Sequence, residues 1–385
     1  MAVLCLALHA DYRCQRSGAC CTAGWPIPVE IDRLTLWREA LASGRLAPPA
    51  GEETATEPFA VPANRRQGIG EILRARASGA CVFYRGEDGL CAVQRELGHA
   101  ALPVACQHFP RRCLVETNRV AVSLSHFCPT VARAAFRSGV ETAVVAAPAS
   151  LAGGFALEGL DAREALPPLL RPGLLADIET YHAWERFVLD TLAREASPES
   201  ALASISALTE DLRTWTPAAG PLRARFDTLV SRRSGPAPPA ATGTFDAGTH
   251  VGACDTVRAS VPAAFLAAVP AKSPPGEVAD ADARWVADSW PAFSGPLRRF
   301  LAAHAFGNWS AYNGQGLRTV VESLVVALRV VRVEAGRACA RVGRALDEDL
   351  LIESLRAADL LLVHLADPIE LARRLSAAER HPRQG

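Results

Sequence analysis

Cysteine is the residue type in this chain whose number and position predict chemistry. The chain has 11 cysteines in 385 residues, and most of them fall in the first third. Thiolates are soft ligands that select zinc, copper(I) or the iron of iron–sulfur clusters over magnesium or calcium. In a reducing compartment, clustered cysteines are more often metal ligands or redox groups than a disulfide framework. We therefore predict a soft-metal site with the candidate ligands Cys14, Cys20, Cys21, Cys81, Cys91, Cys106, Cys113 and Cys128.

The residues around these cysteines indicate how some of the sulfurs would meet. Gly18 allows a tight turn just before Cys20 and Cys21, and such a turn leaves backbone N–H groups available to the sulfurs. Adjacent side chains diverge in an extended chain, so these two cysteines need not bind the same ion. The segment RGEDG between Cys81 and Cys91 is turn-like and would return the chain. We expect that turn to bring the sulfurs of Cys81 and Cys91 together.

Two histidines and one serine lie beside the cysteines. His108 and His126 are candidate substitute ligands, although packing or contact with the ligands is the simpler role for both. Ser17 occupies a position within the first cysteine group, and its oxygen is a poor ligand for a soft metal.

Spacing alone does not identify the metal. The pattern matches neither paired C-x2-C zinc ribbons nor the C-x2-C-x2-C-x3-C-P run of ferredoxins. The alternative to a metal site is a set of free cysteines that pack as small hydrophobic side chains. That interpretation is the preferred one for Cys5, Cys254 and Cys339, which lie outside the group.

The cysteine pattern resembles the YkgJ-type CxxCxxCC family, described as zinc- or iron-chelating proteins. The residues that carry the resemblance are Tyr12, Cys14, Gly18, Cys20, Cys21, Cys81, Cys91, Cys106, Phe109 and Pro110. Ser17 stands where that family has the second cysteine of its first motif, so a site has lost a ligand or Cys113 or Cys128 replaces it. The resemblance covers about residues 10–130 and implies a bound zinc or iron.

A narrower resemblance is to the flagellin lysine-N-methylase branch of that family. It rests on the overall length, the late Cys128-Pro129, and the C-C-x-x-G-W-x-I segment that starts at Cys20. This resemblance implies an iron–sulfur cluster in the cysteine module, and S-adenosylmethionine and a protein substrate if the chain is a methylase. The sequence has no specific S-adenosylmethionine signal, because the C-x3-C-x2-C motif is absent and Gly153-Gly154 does not follow a convincing strand.

The elements that must position these residues fall into two regions. We predict a loop-rich cysteine module over 1–130 and an all-helical body over 131–385, a mainly α architecture in which the module packs on the body. Within the module, periodicity predicts helices over 30–43 and 68–76, and Pro breakers indicate a loop over 47–66. The start, MAVLCLALHADYRC, is ambiguous between a short strand and a helical turn. In the body we predict a Pro/Gly-rich loop over 233–250 and helices over 174–194, 198–215, 296–306, 317–338, 347–364 and 368–380.

A polar-aromatic stretch in the body is a second candidate site. Asn308, Trp309, Tyr312, Asn313 and Gln315 lie close together in sequence between two predicted helices. They would line a ligand pocket or, in the interpretation we prefer, form a helix–helix corner with hydrogen-bonded aromatic side chains. No G-x-S-x-G, H-E-x-x-H or P-loop pattern occurs, which leaves hydrolase, zincin and NTPase functions without support.

Charge and hydropathy exclude several partners and targets. Lysine plus arginine total 41, and aspartate plus glutamate also total 41. That balance argues against a broad electrostatic attraction to nucleic acid or acidic membranes. The sequence shows neither a signal peptide nor an apolar run of about 18 residues, so we expect a cytoplasmic protein with no membrane span.

Three functions fit these observations. The first is a metal-binding protein that holds an iron–sulfur cluster, the favoured cofactor, or zinc. The second is a lysine-N-methylase-like enzyme that uses this cluster on a protein substrate. The third is a non-catalytic protein that handles metal or acts as a scaffold.

Overall fold

The computed structural model describes residues 1–25, 27–47, 58–60, 69–76, 78–86, 89–139, 142–152, 159–233 and 245–377. The chain is mainly α-helical, as the sequence predicts. It divides into two compact units. We call residues 13–112 with 128–130 the cysteine unit, and residues 1–12, 113–127 and 131–385 the helical unit. A single cut at residue 130 therefore does not describe the division, because two segments of the first 130 residues belong to the helical unit.

Helices make up most of the described chain after residue 128. They are Pro129–Ala134, Ala149–Ala152, Ile178–Arg194, Pro198–Arg213, Leu222–Arg232, Ala247–Arg258, Pro275–Ala281, Ser294–Ala305, Ser310–Asn313, Leu317–Val342, Glu348–Asp359 and Pro368–Ala377. Single π-helical turns continue two of them at Asp282–Val286 and Leu360–Leu365. Within the described residues, no helix is both long enough and apolar enough to cross a bilayer.

The helix Leu317–Val342 forms the centre of the helical unit. Its apolar stripe is buried at every position: Leu317, Val320, Val321, Leu324, Leu328 and Val331. The helix ends at Gly343, which adopts a left-handed conformation (φ 70°) and donates its N–H to the carbonyl of Cys339 at 2.8 Å. This is the glycine termination that helices commonly use.

Other predicted helices are confirmed, with shifted ends. Ser197 caps the helix Pro198–Arg213 by accepting from the Ser200 N–H at 3.1 Å, and Pro198 occupies its first position. The predicted helix over 174–194 begins only at Ile178, because Leu174–Leu175 pair as a strand with Leu169–Arg171.

The loop prediction at 233–250 is wrong at its end. Ala247–Arg258 is a helix, and Asp246 caps it by accepting from the N–H groups of Gly248 and Thr249. Most of the rest of that prediction lies outside the described residues, as do most of the predicted loop over 47–66, the Gly153-Gly154 pair and residues 378–380.

The helical unit contains a five-stranded sheet, which the sequence analysis did not predict. Its strands, in spatial order, are Val144–Ala146, Ala2–Leu6, Arg119–Leu124, Arg111–Val115 and Gly159–Asp161. The first segment of the chain is therefore a strand, and it pairs in parallel with Arg119–Leu124. Every residue of Arg119–Leu124 is buried, which suits the continuous apolar character expected of a strand covered on both faces.

The cysteine unit contains a small antiparallel sheet and short helices. The sheet consists of Ile27–Glu30, Ile69–Leu73 and Phe59–Ala60, with Ile69–Leu73 in the middle. The predicted helix over 68–76 is therefore wrong: this segment pairs with Ile27–Glu30 along its length. The helices are Ile31–Ala42, Ala92–Leu97 and Val104–His108.

The helix Ile31–Ala42 confirms the prediction over 30–43 and closes the core of the cysteine unit. Leu34 and Trp37 are buried, whereas Ile31, at the start of the helix, is 58% exposed. The indole of Trp37 packs edge-on against Phe83 at 5.3 Å and donates to the carbonyl of Ala101 at 2.9 Å.

The helical unit contains a buried imidazole that its surroundings do not satisfy. His9 is 1% exposed, and neither ring nitrogen has a hydrogen-bond partner among the described residues. Burial, with the nearby His126 and Arg137, holds the pKa of His9 well below its usual value, so the ring is neutral.

Replacing His9 with leucine should therefore stabilise the protein. The variant removes an unpaired buried polar group, and we expect the free energy of unfolding at pH 7 to rise by about 1–2 kcal/mol. Urea unfolding followed by far-UV circular dichroism measures the change. His99→Leu, at an exposed position, is the matched control and should bring no gain. A loss of stability in His9→Leu would mean that the imidazole has a partner.

Candidate functional site

Five of the eight candidate cysteines lie close together in the cysteine unit. Cys20 and Cys21 are adjacent in a 3-10 turn, and their sulfurs are 3.9 Å apart. The thiolate charges of Cys81 and Cys91 raise the pKa of Cys21. Those of Cys20, Cys81 and Cys91 likewise raise the pKa of Cys106. The five thiols therefore face one region, and four of them, Cys21, Cys81, Cys91 and Cys106, lie in or against the same apolar core.

The turn at Cys20 and Cys21 depends on a glycine, as the sequence predicts. Gly18 has φ 71°, and its carbonyl accepts from the Cys21 N–H at 2.9 Å. A side chain at Gly18 would collide with the ring of Tyr84. Because the backbone turns here and is not extended, the two neighbouring sulfurs come close enough to share one ion.

A hairpin brings the next two cysteines together. Cys81 and Cys91 lie on its two sides, where the N–H of Arg85 donates to Leu90 at 3.1 Å and the N–H of Ala92 donates to Phe83 at 2.8 Å. The N–H of Cys81 also donates to the carbonyl of Cys21 at 2.6 Å, which joins this hairpin to the 3-10 turn. The turn predicted from RGEDG is thus a chain reversal, although its Glu87 and Asp88 lie outside the described residues.

The fifth thiol is positioned by the helix Val104–His108. The carboxylate of Glu30 accepts from the Val104 N–H at 3.2 Å, at the start of this helix. The Arg33 side chain donates to the carbonyl of Leu102 at 2.6 Å. The helix that carries Cys106 is therefore fixed to the end of the first strand of the small sheet.

Backbone donors surround the sulfurs. The N–H of Phe83 donates to the sulfur of Cys81, and those of Val93 and Gln94 donate to the sulfur of Cys91. Such donors favour the thiolate over the thiol, and they are a regular feature around metal-bound sulfur.

Burial opposes ionisation of the same thiols. It raises the pKa of Cys81 to about 12 and the pKa of Cys106 well above its usual value, and the neighbouring thiolates raise both further. Cys20 differs, because its hydrogen bond with Cys21 lowers its pKa. A soft cation among these sulfurs would lower their pKa values again, since its charge favours the thiolate form.

The remaining predicted ligands lie elsewhere. Cys14 is exposed and its sulfur accepts from the Arg16 N–H at 3.4 Å, while Ser17 is exposed beside it. Cys128 is buried in the cysteine unit, as is His108. Cys113 and His126 are buried in the helical unit. Among the described residues, no group of three or more Cys, His, Asp or Glu side chains already has the spacing of a bound metal site.

The polar-aromatic stretch of the helical unit is held by internal contacts. The indole of Trp309 donates to the carbonyl of Cys113 at 3.0 Å, and the Tyr312 hydroxyl donates to Glu116 at 2.5 Å. Asn308 donates to the carbonyl of His304 at 2.9 Å and accepts from the Ser310 N–H at 2.8 Å. The backbone N–H of Gln315 donates to Thr319 and Ser376, and Asn313 ends the helical turn Ser310–Asn313. These contacts are those of a helix–helix corner.

A buried charge network, which sequence reasoning missed, lies beside this corner. Arg119 contacts Glu116 at 2.5 Å and Glu185 at 2.7 Å, and His182 lies 3.1 Å from Glu116. Glu185 also accepts from the Gly307 N–H at 3.0 Å. The only sequence signal is the i, i+3 spacing of Glu116 and Arg119, which the intervening chain turn brings together.

The network determines the ionisation of Glu116. Burial alone would raise the pKa of this carboxyl, but the hydrogen bond with His182 and the charge of Arg119 outweigh it and hold the pKa at about 2. The carboxylate thus stays charged although its side chain is only 3% exposed.

Known proteins resemble a limited part of the chain. A segment of 62 residues, 16% of this chain, is 47% identical to the flagellar biosynthetic protein FliU of Salmonella muenchen, of which it covers 36%. The same length is 47% identical to the lysine-N-methylases of Salmonella typhimurium and Salmonella choleraesuis, of which it covers 15%. The match spans far less than two thirds of these relatives. It supports the methylase-like resemblance, while that to the wider YkgJ-type family stays an expectation.

Two further comparisons gave no match. No protein-family model matches the chain. No solved structure is similar to it either.

The charge network predicts a pH-dependent effect of Glu116→Gln. The pKa of Glu116 is lower in the folded chain than its ordinary 4.5, so its contribution to stability is complete above about pH 4.5 and is lost as pH falls towards 2. At pH 7 the variant should lose about 3 kcal/mol of unfolding free energy, and less at pH 3.5.

Urea unfolding at the two pH values measures this difference. Glu164→Gln, at an exposed loop position, is the control and should leave the unfolding free energy unchanged at both. An equal loss for Glu116→Gln at pH 7 and pH 3.5 would contradict the ionised network.

Proposed function

We propose that the cysteine unit binds a soft metal cofactor, an iron–sulfur cluster, through its clustered thiols. The observation that carries the proposal is the convergence of Cys20, Cys21, Cys81, Cys91 and Cys106 from separate segments of the chain. Four thiolates are the usual ligand set for both iron–sulfur clusters and structural zinc, so five sulfurs are enough for one site. The methylase-like resemblance favours iron and sulfide over zinc.

One distance supports ligation directly. Two thiolates at about 2.3 Å from one tetrahedral ion are about 3.8 Å apart. The sulfurs of Cys20 and Cys21 are 3.9 Å apart. This spacing fits two cysteines on one iron of a cluster, and it fits zinc equally well. The other three thiols, with their backbone donors, would complete the ligand set.

Substitution of individual cysteines tests the site. In Cys81→Ala and Cys106→Ala, at one buried and one half-buried cysteine, we expect most of the bound metal to be lost, because each removes a sulfur ligand of the cluster. Cys254→Ala is the matched control: it also removes a half-buried thiol, but one in the helical unit, and should keep the metal.

The measurement is elemental analysis together with a visible spectrum of anaerobically purified protein. Bound iron with a brown colour supports the cluster. Colourless protein with stoichiometric zinc would instead indicate a zinc site. Metal-free protein, or equal metal content in all variants, would overturn the proposal.

A second function, lysine methylation of a protein, is favoured by the 47% identity to proteins named lysine-N-methylase and FliU. In this proposal the cofactors are the cluster and S-adenosylmethionine, and the substrate is a lysine-bearing protein such as flagellin. The chain itself contains a single lysine, Lys272. Methyl transfer to an added protein can therefore be measured almost without background from the chain's own lysines.

We expect metal-loaded protein to bind S-adenosylmethionine in calorimetry and to transfer labelled methyl groups to flagellin. Lys272→Arg should leave transfer to flagellin unchanged, since arginine keeps the charge at that position. Cys81→Ala should abolish it. Metal-loaded protein that neither binds S-adenosylmethionine nor labels flagellin would exclude methylation and favour a metal-handling or scaffold role.

A further inference from the structure

Two adjacent thiols lie in contact at the 3-10 turn of the cysteine unit. The sulfurs of Cys20 and Cys21 are 3.9 Å apart, although neighbouring side chains of an extended chain point in opposite directions. The turn is held by the Cys21 N–H, which donates to the carbonyl of Gly18 at 2.9 Å, and by the Thr22 N–H, which donates to that of Ala19 at 3.3 Å. The backbone therefore keeps the two sulfurs near each other.

The hydrogen bond between these thiols gives them different acidities. Cys21 donates, which lowers the pKa of Cys20 although burial acts the other way, and raises the pKa of Cys21. Burial raises the pKa values of Cys81, Cys91 and Cys106. Since the thiolate is the reactive form of cysteine, Cys20 should be the most reactive of the five sulfurs at neutral pH.

Contact and charge, rather than exposure, distinguish this pair from the other thiols. Cys20 and Cys21 are half-buried, as are Cys91 and Cys106, so solvent reaches all four residues. Of the five clustered thiols, Cys20 combines a lowered pKa with a second sulfur in contact. An accessible thiolate beside a second thiol is the arrangement that redox-active cysteines use.

We propose that Cys20 and Cys21 are a reversible dithiol–disulfide pair whose oxidant is a hydroperoxide such as hydrogen peroxide. The Cys20 thiolate attacks one peroxide oxygen, the O–O bond breaks, and the second oxygen takes up a proton and leaves as water. The Cys21 sulfur then attacks the resulting sulfenic acid, whose hydroxyl leaves as water with the Cys21 proton. One S–S bond forms, and two electrons pass from the sulfurs to the peroxide. This reaction needs no bound metal.

The geometry of the pair favours both the second step and its reversal. While Cys20 is a thiolate it holds the proton of Cys21, but a neutral sulfenic acid no longer does, so Cys21 can then act as the nucleophile. Consecutive Cα atoms are about 3.8 Å apart, less than the usual span of a disulfide. The bond between adjacent cysteines is therefore strained and easily reduced.

Peptide mass analysis tests the pair on the wild-type protein. Full-length protein, freed of metal with a chelator, is treated with a small excess of hydrogen peroxide, denatured, alkylated with iodoacetamide and digested with trypsin. Cleavage after Arg16 and Arg33 yields a peptide that contains these two cysteines and no other. We expect most of this peptide to carry no alkyl group and to be lighter by two hydrogen atoms. After treatment with dithiothreitol it should carry two alkyl groups.

Two variants assign the steps. Cys21→Ala removes the second thiol, so the sulfenic acid of Cys20 should persist and be trapped by dimedone. Cys14→Ala, at an exposed cysteine of the same unit, is the control and should form the disulfide as the wild type does.

Three results with the wild-type protein would overturn the proposal. They are alkylation of both cysteines after peroxide treatment, a disulfide that joins either one to another peptide, and accumulation of sulfinic acid at Cys20. The wild-type result holds whether or not Cys21→Ala folds. The metal content of Cys81→Ala decides the proposed metal site separately, because the peroxide test uses metal-free protein.

Discussion

The electrostatic cost of packing several thiols together is the constraint on which the cysteine unit depends. Burial, and to a smaller extent the charge of neighbouring thiolates, raises the pKa values of Cys81 and Cys106. The chain nevertheless directs backbone N–H groups at Cys81 and Cys91, an arrangement that favours the anionic form. In the proposed function, a soft cation would reconcile these opposing demands by neutralising the thiolates and accepting their lone pairs.

The fold of this unit determines the positions of those sulfurs. Trp37 provides a fixed apolar surface under the hairpin, and Gly18 allows the turn that pairs Cys20 with Cys21. Glu30 fixes the start of the helix that carries Cys106. The described part of the unit contains little sheet and few long helices, so a bound metal would supply a substantial part of its stability.

The helical unit is organised around a different interaction. Its long central helix buries a wide apolar face along most of its length. The network of Glu116, Arg119 and Glu185 joins the turn between the strands Arg111–Val115 and Arg119–Leu124 to the helix Ile178–Arg194. Through Tyr312 it also contacts the helix–helix corner. Of the polar-aromatic stretch, Tyr312 thus takes part in the buried charge network, through its hydrogen bond to Glu116.

Sequence alone determined the features that depend on local chemistry. The helices with a 3.6-residue apolar period, the Ser197 cap and the chain reversal after Cys81 follow from short-range geometry and were predictable within a few residues. The clustering of cysteines in the first third was also visible. Which segments pair with each other was not visible in the sequence. The period of Ile69–Leu73 suits either a helix or a strand, and only its pairing with Ile27–Glu30 makes it a strand.

Tertiary structure alone decided which sulfurs meet and which polar groups are buried. Cys113 and His126 are close in sequence to the other candidates, yet they belong to the helical unit because strands of its sheet carry them there. Arg119 and Glu185 are 66 positions apart, and no local pattern relates them. Contacts between distant segments depend on how the elements pack, and the chain's short-range preferences do not record that packing.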